Sequence, residues 1–332
     1  MRKRIAFWLA PLCLMLALFL SFPSVAQLYQ VPGPNSPTKK EDVPIYRQEP
    51  DKIVGRVSIP DEKLATLIQP EGREWRSFRL FIFRTVATVL VIGTVLALAA
   101  FYLVRGRIRL ERGWSGYLVQ RFNGFERMAH WLTAVSFIVM ALTGLVITFG
   151  RPVLIPLLGH GWFSALADWS KLAHNFFSVP FLVGVFLILI LWIKDNLPER
   201  ADIDWIKQGG GLFSGGRVHP EAGRFNAGQK LIFWAVVLGG IALGITGFML
   251  MAPFAVTGIG GMQAAHAVHA LVASVLAAVI VAHIYIGTLG MEGAFDAMGR
   301  GEVDANWARE HHSRWYEELQ ERGEVPRSLP AE

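Results

Sequence analysis

Four histidines, His130, His174, His269 and His283, fall at or within long apolar stretches of this 332-residue chain. An imidazole kept inside a membrane is costly and generally serves a ligand or a proton path. His269 and His283 are fourteen residues apart. On one helix that is about 21 Å along the axis and about 40° from the same face. His130 opens one apolar stretch and His174 opens the next, antiparallel one, so these two also lie at opposite depths. Pairing His174 with His269 and His130 with His283 then gives two levels, each with imidazoles from different helices. Two b-type haems held by paired axial ligands within a bundle need that arrangement. Four unrelated polar residues would explain neither the matched depths nor the spacing.

The remaining candidates narrow the chemistry further. The only cysteine, Cys13, lies near the N-terminus within the apolar part of a signal-like segment. Processing would leave a chain without thiols, which excludes disulfides, cysteine-ligated iron–sulfur clusters and covalent c-type haem attachment. His266 and His269 form an H-x-x-H pair, but no nearby Glu supplies the base a zinc hydrolase needs. The match to His283 favours His269 over His266 as a ligand. His160 and His219 are expected in loops, and His311 and His312 in a tail too far outside the membrane to reach these haems. Ala273, Ala277, Gly144 and Gly247 are small residues placed to give a flat porphyrin room, although close helix packing also uses such residues.

Arg224-Phe-Asn-Ala-Gly-Gln-Lys230 places Asn226, Gly228 and Gln229 at the edge of the fourth apolar stretch. The two amides can hydrogen-bond a quinone carbonyl entering from the bilayer, with Gly228 allowing close approach of the ring. Asn226 is equally a good helix N-cap, with Gln229 three positions on as in a capping box. Both roles can hold at once.

The elements that must position these residues are membrane helices. The chain is 53% apolar and only 17% charged, against about 25% charged in an ordinary globular protein. The net charge of +6 comes from Lys and Arg clustered between apolar runs, which points to membrane orientation rather than nucleic acid. Five apolar stretches, Leu80 to Val104, Ala129 to Phe149, Leu172 to Ile193, Leu231 to Met251 and His266 to Leu289, approach the roughly 20 residues a spanning helix needs. Arg105, Arg107, Arg109, Arg112, Arg121 and Arg127 fill the first loop, and Lys194, Arg200, Lys207, Arg217, Arg224 and Lys230 the third; the other loops hold only Arg151 and Lys171. Positive loops stay in the cytoplasm, so the C-terminus is expected there too.

Residues 1–26 have the basic, apolar and small-residue parts of a secretory signal peptide. Residues 27–78 are rich in proline and charge and are expected to form an extended periplasmic arm, with Lys52 to Ile59 a possible strand. Residues 79–127 then hold an extra span and its basic loop, 128–293 a four-helix di-haem bundle, and 294–332 a cytoplasmic tail. The fold class expected is an all-α membrane protein.

The runs Arg127-Met-Ala-His-Trp131, Lys171-Leu-Ala-His-Asn-Phe-Phe177, Phe225-Asn-Ala-Gly-Gln-Lys230 and His311-His-Ser-Arg-Trp-Tyr316, together with the His269 to His283 spacing, resemble the cytochrome b (gamma) subunit of membrane-bound formate dehydrogenases. The resemblance covers about residues 120 to 320. It implies that His130 and His283 ligate an inner haem, that His174 and His269 ligate an outer one, and that Asn226, Gly228 and Gln229 line a quinone site beside the inner haem. It also implies an iron–sulfur subunit and a molybdenum or tungsten catalytic subunit as partners, in a bacterial inner membrane. The haem pairs alone also suit cytochromes of hydrogenases or thiosulfate reductases. A transporter using a histidine proton relay is a third class. The N-terminal signal, arm and extra span depart from the compact family pattern.

Overall fold

The computed structural model describes residues 46–49, 52–56, 66–70, 72–212, 214 and 218–326. The expected signal peptide over 1–26 lies outside them. Three strands, β1 (Tyr46–Glu49), β2 (Lys52–Arg56) and β3 (Thr66–Pro70), form an antiparallel sheet within the segment expected to be an extended arm. β2 falls within the expected strand Lys52 to Ile59; proline content hid the other two, yet among these strands the only proline is Pro70, the last residue of β3, and a strand end tolerates a missing N–H. The sheet belongs to one compact unit, and the chain from Ile82 onward forms another.

Five helices are long and apolar enough to span a membrane: Trp75–Arg105, Gly124–Val153, Ile155–Trp192, Ala227–Met251 and Ile259–Gly290. They correspond to the five expected stretches. The first comprises α1 (Gly72–Leu80), a π-helical segment Phe81–Val86 and α2 (Ala87–Arg105). The next two are α3 (Gly124–Val153) and α4 (Ile155–Trp192). α4 starts well before the expected Leu172, bending at Gly159 (φ 75°). His160, expected in a loop, therefore lies on a helix, where it is exposed.

After the short α5 (Arg200–Lys207) come α6 (Ala227–Met251) and α7 (Ile259–Tyr285), the latter continuing into a π-helical segment Ile286–Gly290. Both α3 and α6 open with a closed capping box, Asn123 with Glu126 and Asn226 with Gln229. Such boxes satisfy backbone donors that would otherwise face the membrane edge unpaired.

α3 packs along α4, α4 against α6, α6 against α7, and α2 against α7. The α3–α4 crossing is tight, because a Cβ at Gly184 would lie 3.0 Å from the backbone N of Thr133. Phe137, Phe181, Val185 and Leu276 form a small core within the bundle. At most 33% of any span's most apolar window is buried within the protein. Val89, Leu142, Phe186, Leu238 and Phe248 instead point outward, so lipid is the solvent these faces require.

The larger apolar core lies at one end, beneath the bundle. There β4 (Leu118–Gln120) pairs with β5 (Glu302–Asp304), flanked by α8 (Asp296–Gly299), α9 (Ala305–His311) and α10 (Ser313–Glu321). Val119, Phe122, Trp192, Phe225, Trp307, Trp315 and Leu319 share that core. We call this the tail end and the opposite one the far end.

Arg121 ties the tail end together. It is 3% exposed, and its guanidinium lies 4.9 Å from the Trp315 ring centre and 5.1 Å from that of Trp307. One guanidinium nitrogen donates to Arg224 O at 2.6 Å and to His312 Nε2 at 3.1 Å, and His312 Nδ1 donates to Gly223 O at 2.8 Å. These partners require the neutral Nδ1–H tautomer of His312. Burial, with Arg224 adding to it and Glu126 opposing, lowers the Arg121 pKa to about 9. Burial, then Arg121, holds His312 well below the ordinary histidine value, and burial, His219 and Arg121 hold His311 at about 4.

A ring that resists protonation when folded makes the folded state lose stability as pH falls below about 6.5, where the unfolded chain takes the proton first. At pH 5.5 His312 alone is expected to contribute a loss of about 1.4 kcal/mol, a tenfold change in tail opening. Limited proteolysis of the tail at pH 7.5 and 5.5 checks this, and the double variant His311→Gln/His312→Gln should flatten the difference.

Candidate cofactor site

His130 lies about two turns into α3, and His283 lies near the end of α7; their ring centres are 6.2 Å apart at the tail end. His174 of α4 and His269 of α7 meet at the far end with ring centres 6.3 Å apart. The structure thus brings together the two pairs that the spacing indicated. His266 stands outside both, its ring centre 5.0 Å from that of Phe83.

Two imidazoles ligating one metal from opposite sides, each nitrogen about 2 Å from it, have ring centres roughly 6 Å apart. Both pairs meet that separation. α7 packs closely against α6 and α2, and it meets α3 and α4, which carry the partner rings, through Leu276 against Phe137, Phe181 and Val185. His130 adds a buried Nδ1 with no hydrogen-bond partner among the described residues. These features fit b haems held by paired histidines.

Each far-end ring rests in a Thr-Gly notch. A Cβ at Gly144 would lie 3.4 Å from His174 Cε1, and one at Gly247 would lie 3.5 Å from His269 Cε1. His174 Nδ1 is 3.1 Å from Thr143 Oγ1 and 3.0 Å from Met140 O; His269 Nδ1 is 3.0 Å from Thr246 Oγ1. Both rings turn Nδ1 to these oxygens and keep Nε2 for a ligand.

At the tail end Asn226 and Gln229 close their capping box, each side-chain oxygen accepting the other's backbone N–H at 3.0 Å. Among the described residues their side-chain NH2 groups have no protein acceptor. A Cβ at Gly228 would lie 3.0 Å from the Trp205 ring of α5, so that glycine admits an indole. Lys230 holds α5 in place, its Nζ donating to Leu197 O at 3.0 Å and pairing with Asp202 at 3.0 Å.

Sequence reasoning missed Thr143, Thr246, Glu126, Arg121 and the burial of His312. The threonines had a signal: each Thr-Gly pair stands twenty residues after an Asn that opens the helix. Arg121 and His312 had none, since their partners are remote in sequence.

Spanning helices that enclose paired histidines define a b-type membrane cytochrome. The family model described as prokaryotic cytochrome b561 matches residues 121–301. The formate dehydrogenase cytochrome b556(fdo) subunit of Escherichia coli (strain K12) is 31% identical over 206 residues, covering 60% of this chain and 93% of that protein. The nitrate-inducible formate dehydrogenase cytochrome b556(Fdn) subunit of the same organism is 25% identical over 209 residues, covering 61% and 92%. The formate dehydrogenase cytochrome b556 subunit of Haemophilus influenzae is 28% identical over 200 residues, covering 58% and 79%. This chain belongs to the prokaryotic cytochrome b561 family, whose members are membrane cytochromes b with an electron-transfer role.

Proposed function

We propose that this chain is the quinone-reactive membrane subunit of a formate dehydrogenase, with His130 and His283 holding one b haem and His174 and His269 a second. The observation that carries the proposal is the pair of ring separations, 6.2 and 6.3 Å, at two depths of one bundle. Formate as the electron source is supported by the names of the relatives. Bound at these levels, two haem irons supply a one-electron relay along the bundle.

The positive loops support a cytoplasmic tail end and a periplasmic far end in a bacterial inner membrane. On that orientation the iron–sulfur subunit and the molybdenum or tungsten catalytic subunit meet the far end, and formate oxidation resides in them. Asn226, Gly228 and Gln229 form the quinone edge at the tail end, where protons come from the cytoplasm. The cap uses the oxygens of Asn226 and Gln229 and leaves their NH2 groups to donate to a quinone carbonyl.

Reduced-minus-oxidised spectra of the purified complex test the proposal. Formate should bring up the α-bands of b haem and an added quinone should bleach them. Missing haem bands, or bands that formate leaves unchanged, would sink it.

The quinone edge has its own check. Gln229→Glu keeps an oxygen for the capping box but removes the NH2 donor, so it should hold stability and haem content while slowing reoxidation by quinone at least tenfold. Unchanged reoxidation would leave Gln229 only its cap.

A further inference from the structure

We infer that Thr143 and Thr246 are positioning residues that make the far-end haem the lower-potential of the two, an inference that rests on the two-haem proposal above. Thr143 Oγ1 donates its single proton to Val139 O at 2.7 Å, with Met140 O at 3.1 Å. Its oxygen is therefore an acceptor for the Nδ1–H of His174 at 3.1 Å, beside Met140 O at 3.0 Å. Thr246 repeats this. Its Oγ1 donates to Ala242 O at 2.7 Å and accepts from His269 Nδ1–H at 3.0 Å.

A threonine within a helix commonly bonds back to its own carbonyls and nothing more. Here the same back-bond aims the oxygen lone pairs at a ring on the neighbouring helix, twice, in matching register on α3 and α6. Drawing on the Nδ1 proton makes Nε2 a stronger electron donor, which favours ferric over ferrous iron and lowers the midpoint potential. The tail-end level lacks this device at His130, whose buried Nδ1 has no partner among the described residues. An electron arriving at the far end thus finds a downhill step toward the tail end.

The test is a potentiometric titration of both haems in the intact complex, with the component absent from His174→Ala marking the far-end level. In wild type that component should be the lower one. Thr143→Val/Thr246→Val should raise it so that its ferrous-to-ferric ratio at fixed potential grows about tenfold, about 59 mV for one electron. The other component should stay put, and Thr143→Ser/Thr246→Ser should titrate as wild type. If the valines expel haem, Thr→Ala at both sites removes the hydroxyls without bulk and must show the shift.

A far-end component that is the higher one in wild type overturns the inference. So does a shift shared by the Ala and Ser variants, or no shift with both haems retained. Wild-type protein with fewer than two haem components would instead refute the two-haem proposal beneath it.

Discussion

Purified His174→Ala and His269→Ala variants are expected to lose the same haem, and His130→Ala and His283→Ala the other, each leaving about half the haem absorbance. The pairing follows from which rings face each other, 6.3 Å apart at the far end and 6.2 Å at the tail end. On the two-haem proposal each haem would be held by one ring of its pair from either helix, so deleting either ring would remove half of what holds it. The second level should survive. Its rings sit about 21 Å away along α7, beyond the reach of a local collapse. Pyridine haemochrome quantitation against protein checks the count. Retention of both haems in His269→Ala would transfer the ligand role to His266, although the His266 ring packs tilted against that of Phe83.

Glu126→Ala is expected to destabilise the tail end by about 2–3 kcal/mol, because it leaves the buried Trp192 Nε1 and the Asn123 N–H without their acceptor, while Arg224 keeps Asp195 at 2.8 Å. Glu126 is 6% exposed. One of its oxygens accepts from Arg224 at 2.6 Å and from Trp192 Nε1 at 2.9 Å, while the other accepts the backbone N–H of Asn123 at 2.9 Å. The single carboxylate thus joins the start of α3, the end of α4 and the loop before α6. Glu126→Gln keeps the cap and one further bond and should lose less. Thermal unfolding of the detergent-purified complex, followed by tryptophan fluorescence, measures both. A Glu126→Ala loss below about 1 kcal/mol, the range of exposed ion pairs, would mean that the network adds little.

The spanning helices were legible because long apolar runs admit few alternatives, and the histidine pairs because one fourteen-residue interval on one helix constrains two depths together. Of the three-stranded sheet only β2 was legible, within the run Lys52 to Ile59; β1 and β3 were not, since the prolines lie mostly between strands and composition does not resolve their positions. The tail was equally opaque. Trp307, Trp315 and Leu319 bury against Val119, Phe122 and Phe225, which stand far back in the chain, so no local period reveals their shared core. For Asn226 and Gln229 the local pattern carried two meanings; the closed capping box establishes one of them and leaves the NH2 groups that the other needs. Thr143 and Thr246 were visible only as neighbours of glycine, because their effect depends on rings carried by other helices.

The extra first span touches α7 at two places, with Phe83 against His266 and Phe101 and Tyr102 against Tyr285 at 6.5 and 6.4 Å between ring centres. Those contacts bracket His269 and His283. The added helix is thereby a splint on the one rod that carries a ring for each level. Clamped at both ends, that rod holds the interval between its rungs constant. On the two-haem proposal, a fixed interval would keep small the rearrangement that accompanies each change of charge at the two levels.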